Sequence, residues 1–386
     1  MLSSRTPDVA AVREIAAELE ALGASLTVET PGQPQVRIGR RPDAARVVFK
    51  SPRALVALRS RSHLALAEAY LRGEIDLEGN LLEVMRVTEV IRPDPTAWER
   101  LCFAARLLFR DRRRWNRESI AFHYDRPPEF FLPWLDRWRS YSHGFYASPT
   151  DSVTDAQARK LQFAVDALGL KPGDSVFDMG CGWGSFLEYA GRQGIRVHGI
   201  TNSREQHRFV EALIERQLLP CSVERTDLLD FRPGERFAGA VFMGTFEHFP
   251  AYRRATRFLA RHLAPGGRLY ADFCSTRGPQ LAGAFLARHI WPGTATYVSV
   301  PRLLCALERE EFVIHALRED TTSYALTVGD WADAFDRASG ELVDRFGETP
   351  VRAFRLFLRA SQYFLQRGRT RAHHLVAARE PASLRA

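Results

Sequence analysis

The sequence predicts an α/β fold: a mostly parallel sheet with helices on both faces, preceded by a small α+β unit. Three observations carry this expectation. From about Ser175 onward, short β-prone runs (SVFDMG, RVHGIT, CSVERTD, GAVFMG, GRLYADF) alternate with helical stretches, the signature of strand–helix–strand units. A glycine-rich turn, Gly180-Cys-Gly-Trp-Gly184, follows the first of these runs and opens a helix. The N-terminal residues, by contrast, mix helix and strand patterns over short distances.

In order along the chain, residues 9–24 read as a helix. Val36 to Lys50 reads as two short strands around the turn Gly39–Asp43. Helices follow at Pro52–Arg61, Leu64–Gly73 and Leu81–Thr88. Strands near 313–316, 322–328 and 374–378 are expected to supply an antiparallel edge to the main sheet, and a helix-rich insertion at 277–310 interrupts its end. The domain plan is an accessory unit at 1–95, a basic amphipathic connecting helix at 96–120 and the main domain at 121–386. Leu101 to Glu118 carries six arginines against two acids, interleaved with Leu101, Phe103, Leu107, Leu108, Phe109 and Trp115. That mixture suits a helix lying at a lipid interface, or a solvated helix whose arginines pair locally.

The chain has 386 residues, 45% of them hydrophobic and 26% charged. This excludes disorder for the bulk of it. The net charge of +8 is carried almost wholly by arginine, and a basic surface attracts polyanions such as nucleic acid or anionic lipid headgroups. Cys102, Cys181, Cys221, Cys274 and Cys305 form no CxxC pair, so neither a disulfide framework nor a metal site is expected. No apolar run has the length of a signal peptide or a membrane span. A cytoplasmic protein with peripheral membrane contact is the expectation.

The glycine turn is the most informative segment. A hydrophobic strand runs into Asp178, and Gly180, Gly182 and Gly184 then let the backbone turn tightly and approach a ligand. The spacing is GxGxG rather than GxGxxG, which suits a nucleoside with a methionine tail better than a dinucleotide. At the end of the next strand, Thr201, Asn202 and Gln206 are the polar groups available to a ribose. Asp227, one strand further on, is placed to meet an adenine amino group.

Taken together, these segments resemble the cyclopropane-fatty-acid synthase and mycolic-acid methyltransferase family. The matching runs are Ile120–Asp125, Phe130-Phe131, Trp134–Asp136, Tyr141-Ser142, Gly180–Gly184, Thr201–Gln206, Phe246–Phe249, Ile290–Gly293, Ser323-Tyr324 with Trp331, and Phe354-Arg355. Leu66–Tyr70 and Gly79–Leu82 resemble the family's accessory domain, so the likeness covers nearly the whole chain. Arg126-Pro127-Pro128 departs from the pattern. The resemblance implies a class I S-adenosylmethionine (SAM) methyltransferase sheet of Rossmann type. It also implies a cofactor held by Tyr141, Ser142, Asp178, Gly180, Gly182, Thr201, Asn202, Gln206, Asp227 and Leu228. The substrate would be the alkene of an unsaturated acyl chain in membrane phospholipid, met through peripheral contact with an anionic surface, and a homodimer is implied. Nucleic acid is not expected as a partner, because no base-flipping motif is present.

In such enzymes the alkene takes the methyl group, a carbocation forms and a base removes a proton. The base is thought to be a bicarbonate held by a cysteine, a glutamate, a histidine, an aliphatic residue and a tyrosine. Glu247 and Tyr324 match that set, but the cysteine position is His143, the histidine position Asp272 and the aliphatic position Cys274. Two neighbouring carboxylates disfavour a further anion, so bicarbonate fits this chain poorly. The expectation is a protein-borne acid/base group of Glu247, Asp272 and His143, with Tyr324 beside it. Its product would be a cyclopropane or a methyl-branched or methylene chain. Tyr141, Phe145, Tyr146, Phe246, Trp291 and Tyr363 are the aromatic candidates for facing the cation. Two alternatives stand beside it: methylation of an amine, and a catalytically altered partner subunit that binds the cofactor or lipid.

Overall fold

The computed structural model describes residues 9–91, 126–248, 251–276, 283–291 and 297–379. The predicted connecting helix at 96–120 and the Ile120–Asp125 motif lie outside them. Internal contacts divide the chain into two compact units. Among the described residues, the first contains 9–91 together with 283–290 and 339–363.

In the first unit, α1 (Val9–Ala21) is followed by β1 (Leu26–Glu29), β2 (Val36–Ile38), β3 (Ala45–Phe49), α2 (Pro52–Arg59), α3 (His63–Leu71), β4 (Ile75–Gly79), α4 (Leu81–Met85) and α5 (Val87–Val90). The sheet order is β2-β1-β3-β4. The two predicted strands at 36–50 do not form a hairpin with each other. Both pair with β1, β2 antiparallel and β3 parallel. The cause is local: Gly39, at φ 73°, passes so close to the carbonyl of Ala24 that a side chain there would collide with it. This fold-back brings β1, a run of only four residues, between its two neighbours. Ser51 and Ser62 cap α2 and α3 by accepting from the N–H groups of Ala54 and Ala65, the roles expected of serines before helices. Residues 339–363 join this unit through Arg352, which donates to Asp76 at 2.9 Å and to the carbonyls of Tyr70 and Ile75 at 3.2 Å.

The second unit starts with α6 (Pro128–Phe131) and α7 (Val153–Leu168). Alternating strands and helices follow: β5 (Ser175–Met179), α8 (Ser185–Gly191), β6 (Arg196–Thr201), α9 (Arg204–Gln217), β7 (Ser222–Arg225), β8 (Phe237–Met243), α10 (Tyr252–His262) and β9 (Leu263–Thr276). The chain ends with α11 (Val300–Glu308), β10 (Phe312–Glu319), α12 (Thr321–Phe346), α13 (Glu348–Gln366) and β11 (Thr370–Arg379). The seven strands lie in the order β10-β11-β9-β8-β5-β6-β7. Strands β5 to β9 are parallel, and β11 runs antiparallel to both β9 and β10.

Both faces of this sheet are covered, so its central strands are apolar on both sides. Phe177, Phe237, Phe242, Leu259 and Phe273 pack on one face, while Val176, Val241, Leu161, Phe186 and Tyr270 pack on the other. Neighbours in sequence such as Val176 and Phe177 therefore serve opposite cores. Residues 322–328, expected as a strand, form the start of α12. The edge places are filled by β10 and β11, and the alternation of Ser323, Ala325 and Thr327 becomes the buried side of a helix.

Phe237→Ala, at the end of β8 away from the strands' C-terminal ends, is expected to cost about 3–5 kcal/mol. Urea unfolding of the purified variant would show it as a lowered midpoint at unchanged slope.

Candidate active site

In an open α/β sheet, ligands gather at the C-terminal ends of the strands where the order reverses. Here that point is the end of β5, flanked by β6 and β8. The chain leaves β5 through Gly180, Gly182 and Gly184 at φ 76°, 54° and 78°, a left-handed backbone that glycine adopts without steric cost. The N–H groups of Gly180 and Cys181 both donate to the carbonyl of Ile200 at 3.0 Å, which pins the turn to β6. A Cβ on Gly180 would lie 2.5 Å from Thr245 Cγ2, whereas one on Gly182 would meet only the Gly180 carbonyl oxygen, at 4.0 Å.

A cavity of about 340 Å³ opens over this turn. Of the residues predicted to hold the cofactor, Tyr141, Ser142, Asp178, Gly180, Gly182, Thr201, Asn202, Gln206 and Asp227 all line it. Leu228 does not: it is buried in the core, and Leu229 takes the place at the wall. Asp227 causes the change by starting a tight turn, its carboxylate accepting from the Leu229 N–H at 2.9 Å and its carbonyl from Asp230 and Phe231. The Thr201 hydroxyl donates to Gln206 Oε1 at 2.8 Å and fixes that amide. His248, expected from the sequence to face this crevice at a strand end, also lines the cavity, as do Arg139, Trp183, Met243 and Arg254, which the sequence alone did not single out for it. Burial pushes His248 down to about 4, so its imidazole is neutral at physiological pH.

Beneath the cavity lies a layer of charge with Lys160 at its centre. This side chain, from α7, is completely buried. Its ammonium donates to Ser140 Oγ and Ser142 Oγ at 2.7 Å each, and Ser142 Oγ in turn donates to Asp272 Oδ2 at 3.3 Å. Burial lowers the lysine's pKa, opposed by Asp272, Asp136 and Asp178. Burial raises Asp178 to about 7 even though Lys160 pulls it back. Asp136 accepts the N–H groups of Trp138 and Ser140 at 2.8 and 3.0 Å. These bonds order the segment that presents Tyr141 and Ser142 to the cavity.

The expected acid/base residues part company in the structure. Glu247 sits in the single turn Phe246–His248 after β8, where its Oε1 accepts the Cys274 N–H at 2.6 Å and its Oε2 has no hydrogen-bond partner. Burial pushes Glu247 up to about 8, with a further push from Asp272. The Tyr324 phenol lies beside the Cys274 thiol, and burial raises both groups well above their usual range. Asp272 is drawn instead into the Lys160–Ser142 bonding. His143 packs on Tyr324 with ring centroids 5.4 Å apart, but its Nε2 is directed to Asp320 Oδ2 at 3.7 Å. The aromatic candidates also divide. Tyr141 lines the cavity and packs on Trp331 at 5.2 Å, Trp291 packs on His248, and Phe246 stacks on Phe242. Phe145 packs on His374, Tyr146 donates to Asp330, and Tyr363 belongs to the first unit, where it donates to Glu89.

The sequence profile for mycolic acid cyclopropane synthetase matches residues 111–375. The chain belongs to that family. A probable fatty acid methyltransferase of Pseudomonas putida is 26% identical to it over 358 residues, 86% of each protein. The cyclopropane-fatty-acyl-phospholipid synthase of Escherichia coli K12 is 28% identical over 243 residues, 62% of each. Among solved structures, the cyclopropane synthase MmaA2 from Mycobacterium tuberculosis aligns with a TM-score of 0.64 at 23% identity, covering 68% of this chain and 98% of that one. The mycolic acid cyclopropane synthase CmaA1 complexed with SAH and CTAB gives the same TM-score and coverage at 22% identity. At these identities the two structures establish the fold.

This family member is a SAM-dependent methyltransferase, and its cavity fits the cofactor. The volume suits a nucleoside with a short tail, the glycine turn leaves backbone accessible, and Asn202, Gln206 and Asp227 offer polar contacts. The cofactor supplies an electrophilic methyl group on a sulfonium.

Two substitutions follow from this geometry. Gly180→Val, strained at its positive φ and in collision with Thr245, should weaken SAM binding at least tenfold by calorimetry. Lys160→Met leaves Asp272 and Asp178 buried without their cation and should cost about 3–5 kcal/mol in urea unfolding.

Proposed function

We propose that the enzyme transfers a methyl group from SAM to the double bond of an unsaturated fatty acyl chain in membrane phospholipid, and that Glu247 accepts the proton the product must lose. The observation that carries this is the Glu247 carboxyl group. One oxygen is anchored on a backbone N–H, the other has no partner, and burial keeps its pKa near physiological pH. A general base works best in that range. The names of the relatives support an acyl substrate, and the arginine-rich run at 96–120 supports contact with an anionic surface.

In chemical terms, the π electrons of the alkene form the new bond to the methyl carbon while the bond to sulfur breaks. The resulting carbocation loses a proton to Glu247. Loss from the new methyl group closes a cyclopropane, and loss from a chain carbon leaves a methyl-branched or methylene product. Because the protein supplies the carboxylate, no bicarbonate is required.

Incubation with unsaturated phospholipid vesicles and methyl-deuterated SAM, followed by lipid mass spectrometry, tests the proposal. Incorporation of CD2 or CD3 into an acyl chain is the expected result, and the count identifies the proton lost. Label in an added amine and none in lipid would overturn the proposal. Activity should not change when bicarbonate is removed.

The pH dependence has a definite sign. Glu247 must be ionised to act, so kcat/KM should rise with pH through about 8, and Glu247→Gln should lower kcat by about 100-fold or more. Stability moves the opposite way. A carboxyl whose pKa is raised on folding, from 4.5 to about 8, costs the folded state progressively as pH rises across that window.

A further inference from the structure

Three side chains that methyl transfer leaves unused meet at the antiparallel edge of the large sheet. His143 follows Ser142, Asp320 precedes α12, and His374 lies on β11 opposite Asp272. One potential ligand atom from each lies within 4.8 Å of the other two. His374 Nδ1 is 2.7 Å from Asp320 Oδ2, and His143 Nε2 is 3.7 Å from the same oxygen.

Hydrogen bonding alone leaves this cluster incomplete. His143 is 1% exposed and His374 4%, yet His143 Nε2 is beyond hydrogen-bond reach of Asp320 and has no partner. Buried polar atoms are rarely left so.

We propose that His143, Asp320 and His374 form a divalent transition-metal site, two imidazoles and one carboxylate, suited to zinc. Zinc takes these ligand types at about 2.0–2.2 Å in tetrahedral geometry, which puts ligand atoms about 3.3 Å apart. The observed 2.7 and 3.7 Å to Asp320 straddle that spacing, and with all three ligand atoms within 4.8 Å of one another side-chain adjustment draws them onto one ion. Three protein ligands leave a fourth position for water.

The surroundings are those of a built site. Phe145 and Phe163 pack on the His374 ring at 4.9 and 5.2 Å, and Phe145 and Tyr324 flank His143 at 5.6 and 5.4 Å. An apolar shell of this kind limits solvent access and holds ligand rings in place. Asp320 is fixed through its backbone, donating to the Ala372 carbonyl at 2.9 Å and accepting from the Tyr324 N–H at 3.1 Å. A bound ion therefore ties together the segment after Ser142, the first turn of α12 that carries Tyr324, and β11.

Titration of chelator-treated full-length protein with Co2+, as a visible probe, tests the site, with Zn2+ as competitor. The wild type should take up one Co2+ per chain, with the ligand-field band of a four-coordinate ion that Zn2+ displaces. Asp320→Asn and His374→Ala should each weaken uptake by about 100-fold or more, beyond the loss of an outer partner. Zn2+ should raise the melting temperature of the wild type but of neither variant. Circular dichroism without metal checks their folding. Should His374→Ala not fold, Asp320→Asn, with nearly the same volume, decides. Failure of the wild type to bind stoichiometrically, or a band that survives a folded variant unchanged, would overturn the proposal.

Discussion

Lys160 carries its ammonium into a layer that water does not reach, and there it faces Asp136, Asp178 and Asp272. Removing a charge from water costs several kcal/mol unless partners and hydrogen bonds replace the solvent. The replacement here is shared among three carboxylates and two serine hydroxyls. That sharing ties together the loop before Tyr141, the end of β5 and the end of β9. One cation is shared among three acids, and burial, with a smaller push from Asp272, holds Asp178 up to about 7 against the pull of Lys160.

The two acidic positions over the sheet are thereby given different work. Asp272 lies under a cation and accepts from Ser142. Glu247 receives one backbone N–H and no cation, and burial carries it to about 8. Environment rather than residue type separates the two roles. The neutral His248 at the cavity wall fits the same logic, because a second positive charge beside a sulfonium would repel it.

The cofactor turn was readable because its signal is local. Gly180, Gly182, Thr201, Asn202 and Gln206 each lie within a few residues of a strand end, and strand ends follow from hydrophobic runs. Leu229 rather than Leu228 reaches the cavity wall because of a side-chain bond from Asp227 that no periodicity encodes. The misread strand at 322–328 shows the limit of alternation, since a buried helix face and a half-buried strand share residue types over so short a run. Lys160 was invisible for a different reason. A lysine in an amphipathic helix reads as solvated, and only the convergence of three acids from distant segments makes burial tolerable. Asp320 and His374 were missed in the same way, each unremarkable until β11 brings them together.

The place of β11 in the sheet bears on biosynthesis. It lies between β9 and β10, although it is made after both. While the ribosome is still making α12 and α13, β9 has an unpaired outer edge and β10 has no partner beside it. Strand edges of that kind invite pairing with other chains. Strand β11 closes this gap and brings His374 to Asp272 and Asp320. Chaperone dependence of the nascent chain should therefore be concentrated in the interval before residue 370 emerges.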